Sequence, residues 1–149
     1  MSDMQFAWSG LDGLAPRDLY AMLKLRVDIF VVEQNCAYPE LDGKDLEALH
    51  LRVLEGGELA AYLRVLPPVG DGPARIGRVI VAPSHRGRKL GEKIMQEAIA
   101  RCRAQFPDRD IALSAQSHLR AFYGSFGFVP VSEEYVEDGI PHIDMRLAA

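Results

Sequence analysis

Arg78-Val79-Ile80-Val81-Ala82-Pro83-Ser84-His85-Arg86-Gly87-Arg88-Lys89-Leu90-Gly91 is the stretch on which the reading of this chain turns. Its β-branched start, Val79-Ile80-Val81, is strand-forming, and Pro83 ends the strand because it cannot donate to a ladder. A basic, glycine-bearing turn follows and enters a helix. In that helix Leu90, Ile94, Met95, Ala98, Ile99 and Cys102 recur at three- and four-residue spacing, so one face packs while the start stays free. Gly87 and Gly91 permit a tight turn and close backbone approach, and the first-turn amides have no intrahelical acceptors. Such a helix start favours an anion. The cluster Arg86, Arg88, Lys89 and Lys93 reads as a pocket for a small polyanion.

Working outward, Pro107-Asp108 closes the helix and residues 111–115 are short and apolar enough for a buried strand. Residues 78–115 are then a strand-helix-strand unit, which predicts parallel neighbouring strands joined by a right-handed crossover. The glycine-bearing turn falls at the carboxyl end of the first, where open sheets bind ligands. Upstream, residues 4–8 read as a first strand, and Pro16 suits the first position of a helix. Leu19, Leu23, Arg26, Val27, Phe30 and Val31 trace that helix to near Gln34. Residues 35–46 carry Pro39, Gly43, Glu40, Asp42 and Asp45 and read as a loop with room for a short helix. Residues 49–54 and 59–66 are strand-like runs joined by Gly56-Gly57, a hairpin signal. Downstream, residues 118–126 form a short helix stopped by Gly127, and residues 128–131 and 140–147 read as strands flanking 133–139. The expected class is α/β: one domain over residues 1–149, with a mixed sheet of about seven strands flanked by helices.

Composition removes several functions. The chain has 149 residues, 48% hydrophobic and 26% charged, which suits one soluble domain. No apolar run approaches the ~20 residues of a membrane span. A net charge of -4 argues against a general nucleic-acid binder. Met1-Ser2-Asp3-Met4-Gln5-Phe6 has neither a basic region nor an apolar signal core, so a cytoplasmic location is expected. Cys36 and Cys102 then read as free thiols; with no histidine at ligand spacing they make no metal site, and none is expected.

Three readings compete for the glycine-bearing turn, one of them a plain solvated basic turn with no ligand. A dinucleotide fold requires G-x-G-x-x-G, which is missing, and a nucleoside-triphosphate loop requires Ser or Thr after Gly-Lys, whereas Lys89 precedes Leu90. The downstream segment Gln116-Ser117-His118-Leu119-Arg120-Ala121-Phe122-Tyr123-Gly124-Ser125-Phe126-Gly127-Phe128 decides among them. A basic strand-turn-helix followed by Tyr-x-x-x-Gly-Phe resembles the GNAT superfamily of acetyl-coenzyme-A-dependent N-acetyltransferases. Leu25-Arg26, residues 30–36, Tyr38, Asp42 and Asp45, with Glu137-Asp138-Gly139-Ile140-Pro141-His142, resemble its ElaA branch. The resemblance implies splayed parallel strands at the donor site and acetyl-CoA as co-substrate. It places Arg86, Gly87, Arg88, Lys89, Leu90, Gly91 and Glu92 around the pyrophosphate. The superfamily pattern is Arg/Gln-x-x-Gly-x-Gly/Ala; Arg86 fills the first place and Gly91 the last, but Lys89 stands where glycine is usual. By the same match the backbone of Val79, Ile80 and Val81 runs beside the pantetheine arm, and Gln116 replaces an asparagine that contacts the cofactor. Tyr123 matches the acid that protonates the departing thiolate.

The implied reaction is direct attack of a neutral amine on the thioester, with Val79 to Val81 amides at the oxyanion and a base for the amine's proton. Glu33 and His142 are the candidate bases, level with each other; His50 is a lesser one, and His118 reads as structural. Cys36 lacks an adjacent base and reads as an apolar filler. Two acidic stretches, residues 33–47 and 133–138, would favour a cationic acceptor, a small amine or a peptide amino group, if they converge. Two rivals stand. The Arg26, Phe30, Glu40, Asp42, Asp45 spacing resembles acyl-homoserine-lactone synthases, although those are usually longer and carry a tryptophan in that region; here Trp8 is the only one. A non-catalytic acetyl-CoA sensor or assembly module would keep the cradle and make Tyr123 dispensable. The resemblance also allows a homodimer, for which no residue pattern argues.

Overall fold

The computed structural model describes residues 4–149; Met1, Ser2 and Asp3, part of the stretch read for a targeting signal, lie outside the described residues. Strands β1 (Met4–Ser9), β2 (Leu49–Glu55), β3 (Glu58–Leu66), β4 (Ala74–Val81), β5 (Ile111–Gln116), β6 (Val129–Pro130), β7 (Tyr135–Glu137) and β8 (Ile140–Leu147) form one sheet, with helices α1 (Pro16–Val27), α2 (Leu90–Gln105) and α3 (Arg120–Gly124). The sheet order is β1-β2-β3-β4-β5-β8-β6, with β7 on β8. The mixed α/β architecture is the expected one, with eight strands rather than seven. The extra strand is β7, which pairs Tyr135 with His142 through a hairpin whose turn residues Asp138 and Gly139 have φ of 51° and 78°. Two successive left-handed residues make the tight hairpin turn that suits strand twist. Gly56 and Gly57, at φ 59° and 81°, close the β2–β3 hairpin in the same way.

The α2 face read from the sequence is the one that is buried. Leu90, Ile94, Met95, Ala98, Ile99 and Cys102 pack with Leu51, Val53, Leu63 and Leu113 of the sheet. At about 1.5–3 kcal/mol for each large apolar side chain, this face suffices to hold the helix on the sheet. The opposite face carries a smaller cluster of Leu14, Met22, Ile29, Tyr62 and Ile80 beneath α1. Leu19, Leu23, Arg26 and Phe30 of the expected stripe face inward, and Val27, 37% exposed, does not. Met22 and Ile29 also face inward. After α1 the winding changes: Asp28–Glu33 is a π-helix, with Gln34 N–H bonded to the Ile29 carbonyl and Cys36 N–H to that of Val31. No helix among the described residues is long and apolar enough to cross a membrane.

One irregularity makes the site. Between β3 and β4 the register runs Tyr62↔Ile80 and then Arg64↔Gly77, so Arg78 and Val79 oppose Leu63 alone, and Arg78 takes φ 55°. A bulge of this kind bends and twists its strand. β4 and β5 are parallel as predicted, but paired only at Ala74↔Ile111 and Arg75↔Ala112. Beyond that point they part.

Candidate active site

The cleft opens between the carboxyl ends of β4 and β5. Ala82 N–H bonds to the Ala60 carbonyl at 2.8 Å, and Val81 lies opposite Ala61. Antiparallel alternation therefore turns the amide and carbonyl of Val81 away from β3 and toward the splay, while those of Ile80 face β3. A cavity of about 260 Å³ continues from this point, lined by Val81, His85, Arg86, Gly87, Lys89, Leu90, Gly91, Glu92 and Phe122. Every position of the predicted cradle except Arg88 lines it.

The turn forms although Lys89 replaces glycine. Gly87 has φ 82°, and Lys89 adopts the left-handed conformation at φ 59°, ψ 25° as the N-cap of α2. The first intrahelical bond runs from Lys93 N–H to the Lys89 carbonyl, so the amides of Leu90, Gly91 and Glu92 point out of the helix unpaired within it. A Cβ on Gly91 would lie 3.7 Å from Phe122 and Val81, ordinary packing distance. What the missing side chain leaves open is the approach to the amides.

The cradle cations are not equivalent. Arg86 forks onto Glu33 with both arms at 2.8 Å and donates Nε to the Val81 carbonyl at 3.2 Å. Arg88 forks onto Glu55 at 2.9 and 2.7 Å, and the same carboxylate lies 3.3 Å from His85 Nε2. Lys89 has no ion pair among the described residues. Arg86 holds the Glu33 carboxyl below its ordinary value, mainly by its hydrogen bonds.

Tyr123 sits on α3 beside the cavity wall. Its ring is 7% exposed and meets Phe122 and Phe128 edge-on, at 5.1 and 6.5 Å between centroids. Its hydroxyl has no hydrogen-bond partner among the described residues, and burial pushes its pKa up to about 12, so it carries its proton at neutral pH. Gln116 ends β5 and donates to Gln34 Oε1 at 3.4 Å.

His142 faces Gln116 across the β5–β8 ladder. Its Nδ1 lies 2.7 Å from the Ile140 carbonyl, which can only accept, so Nδ1 carries the proton and Nε2 bears the lone pair. Tyr135 stacks on the ring at 6.1 Å and 23° and is itself held by Asp144 at 2.5 Å. Residue spacing alone missed Tyr135, although the Asp138-Gly139 turn fixes its register opposite His142.

The two acidic stretches do meet, where Cys36 Sγ donates to the Asp138 carbonyl at 3.1 Å. Most of the first stretch is already neutralised. Arg26, fully buried, spends all five N–H groups on Glu40, Asp45 and Tyr62. Arg64 holds Asp42 and Asp45, and Arg78 holds Glu40 and Asp42. Three cations balance three carboxylates, and this network ties loop 35–46 to the sheet. Burial alone would raise Asp42 and Asp45, but the arginine hydrogen bonds outweigh it and hold both carboxyls down. Glu133, Glu134, Glu137 and Asp138 are exposed and without ion pairs among the described residues. His50, the lesser candidate base, is fully buried between Tyr62 and the Asp45 carbonyl, away from the cleft.

Residues 30–149 match the acetyltransferase (GNAT) domain family. The protein ElaA of Escherichia coli is 48% identical over 135 residues, 89% of this chain and 88% of its own. The crystal structure of Escherichia coli ElaA superposes with a TM-score of 0.90 at 43% identity, covering 99% of each chain. That of an acyl-CoA N-acyltransferase from Pseudomonas aeruginosa reaches a TM-score of 0.93 at 44% identity, covering 98% of this chain and 100% of its own.

Proposed function

The chain belongs to the GNAT acetyltransferase family, in its ElaA-like branch, and from that premise we propose that it transfers an acetyl group from acetyl-CoA directly to an amine. The observation that carries the reading is the splay itself: β4 parts from β5 after Arg75, beside helix-start amides with no intrahelical partner. That arrangement suits a donor with a peptide-like arm and a diphosphate. The backbone groups of Val81 hold the arm, and the amides of Leu90, Gly91 and Glu92 with the Lys89 cation hold the phosphates. The donor supplies an activated thioester; the chain's residues supply orientation and proton transfer.

Tyr123 is the acid. Its proton is retained at neutral pH and its hydroxyl is uncommitted, so it can be given to a leaving thiolate. His142 is the base, because Nε2 holds a lone pair on a ring fixed by Ile140 and Tyr135. Glu33 is the poorer base, since accepting a proton would break its fork with Arg86. The acceptor is a small or peptide amine, with Glu133, Glu134, Glu137 and Asp138 the carboxylates free to favour a cation.

Calorimetric titration with acetyl-CoA tests the donor. Parent binding with a Kd on the order of micromolar, weakened in an Arg86→Ala, Lys89→Ala variant, supports the cradle; equal binding in the two removes it. Coenzyme A release across a panel of amines tests the acceptor. In His142→Gln kcat should fall about 10²- to 10⁴-fold at unchanged acetyl-CoA affinity, and an unchanged kcat would exclude His142.

A further inference from the structure

The residues that close the first helical segment touch three separate walls of the cleft. Glu33 forks onto Arg86 of the cradle, Gln34 accepts from Gln116 at the end of β5, and Cys36 donates to the Asp138 carbonyl in the β7–β8 turn. Residues 33–36 thus cross the whole open end of the sheet. The backbone is wound for this. The π-turn ends here, with Gln34 and Cys36 each bonded five residues back, and Asn35 between them takes φ 51°. A widened turn followed by a left-handed residue sends neighbouring side chains toward different walls.

Each fastening is weak. The Glu33–Arg86 pair is 43% and 46% exposed, the Gln34–Gln116 bond is 3.4 Å long, and a thiol is a poor donor. Arg86 also lies across the donor's path, because its Nε occupies the Val81 carbonyl that faces the splay.

We propose that residues 33–36 form a strap over the cleft, latched by Glu33 on Arg86, and that an anionic acyl donor unlatches it by drawing Arg86 onto its own phosphate oxygens. The proposal rests on the reading of residues 86–92 as the donor's cradle. Carboxylate and phosphate compete for the same guanidinium fork, and Arg86 cannot present both arms to each. Unlatching frees the Val81 carbonyl for the donor and loosens the wall that faces the acceptor.

Cys36 is a built-in reporter, since its burial and its bond to Asp138 last only while the strap is closed. Cys102, 1% exposed and with its thiol pushed up to about 11 by burial, serves as the control for intact folding. The experiment is iodoacetamide labelling mapped by mass spectrometry, in the parent and in Glu33→Gln, with and without acetyl-CoA, beside a calorimetric titration. Without ligand, Cys36 should label about two- to fivefold faster in Glu33→Gln, the range set by loss of one exposed ion pair. Acetyl-CoA should bring the parent to the variant's rate and add nothing to the variant. Equal Cys36 rates in unliganded parent and variant, with Cys102 silent in both, would overturn the latch. Acetyl-CoA that binds but leaves the parent's rate unchanged would overturn its release by the donor. Faster labelling in Glu33→Gln with no acetyl-CoA binding to the parent would uphold the latch and overturn the donor reading instead.

Discussion

Replacing Tyr123 with Phe isolates one atom, and its surroundings fix what that atom can be worth. The ring stays, with its edge contacts to Phe122 and Phe128, so packing is conserved. The hydroxyl bonds to nothing among the described residues, so its loss orphans no buried partner. Unfolding free energy should therefore change by less than about 0.5 kcal/mol, the range of substitutions that break no named interaction. Acetyl-CoA affinity should also hold, because the cradle and the Val81 backbone are untouched. Turnover should not. A positioned acid contributes about 10²- to 10⁴-fold, or roughly 3–5.5 kcal/mol of barrier, and a side chain 7% exposed leaves little room for water to substitute. With the phenol pushed up to about 12, the parent should show no Tyr123 limb below about pH 10. The assay is initial-rate coenzyme A release, with kcat and KM separated, beside thermal melting and acetyl-CoA titration. A kcat within about threefold of the parent, at unchanged affinity and melting temperature, would refute the assignment and point to a different acid, whereas binding with no turnover in either protein would favour a binding module. A kcat loss that tracks a lowered melting temperature would make Tyr123 a core residue.

Lys89→Gly relieves a left-handed lysine but frees the unfolded chain, so stability should stay within about 1 kcal/mol of the parent. Acetyl-CoA affinity should fall severalfold, most at low salt, where a phosphate-facing cation counts most; unchanged affinity would leave Lys89 no role in binding. Arg26→Met, followed by urea unfolding, should cost about 3 kcal/mol, the low end for a broken buried pair. The low end applies because Arg78 still holds Glu40 and Arg64 still holds Asp45; a loss under about 1 kcal/mol would mean the network is not a fastening. Burial lowers the His50 pKa from 6.5, and the arginines hold Asp42 and Asp45 below 3.8. In both cases the unfolded chain binds the extra protons, so stability is full above pH 6.5, declines below it as His50 charges in the unfolded state, and falls further below about pH 4. Urea unfolding from about pH 2.5 to 8 checks this, and His50→Gln should flatten the portion between about pH 5 and 6.5.

The parts of the site that lay open in the sequence are those that local periodicity or turn chemistry dictates. The α2 stripe, the Gly56-Gly57 hairpin, the Gly127 stop and the strand-helix-strand unit over 78–115 depend on neighbours within a few turns, and each stands where expected. The splay was implied only by family resemblance; its cause, a left-handed Arg78, is held by contacts with distant residues. Arg78 reaches Glu40 at 2.8 Å and lies over the rings of Phe30 and Tyr38 at 6.0 and 5.4 Å. No local rule puts an arginine at φ 55° inside a strand; long-range ion pairs hold it there, and they spend the acidic loop that had suggested a cationic acceptor. The same physics ranks the two candidate bases of the proposed reaction. Glu33 and His142 are equal on residue type alone, but Glu33 finds Arg86 53 positions away, whereas His142 is oriented by a carbonyl two residues back and a tyrosine in its own hairpin. A titratable side chain's role is thus set by whichever partner reaches it first in space; for Glu33 that partner is Arg86, so in the proposed reaction its influence would run through the donor rather than the amine.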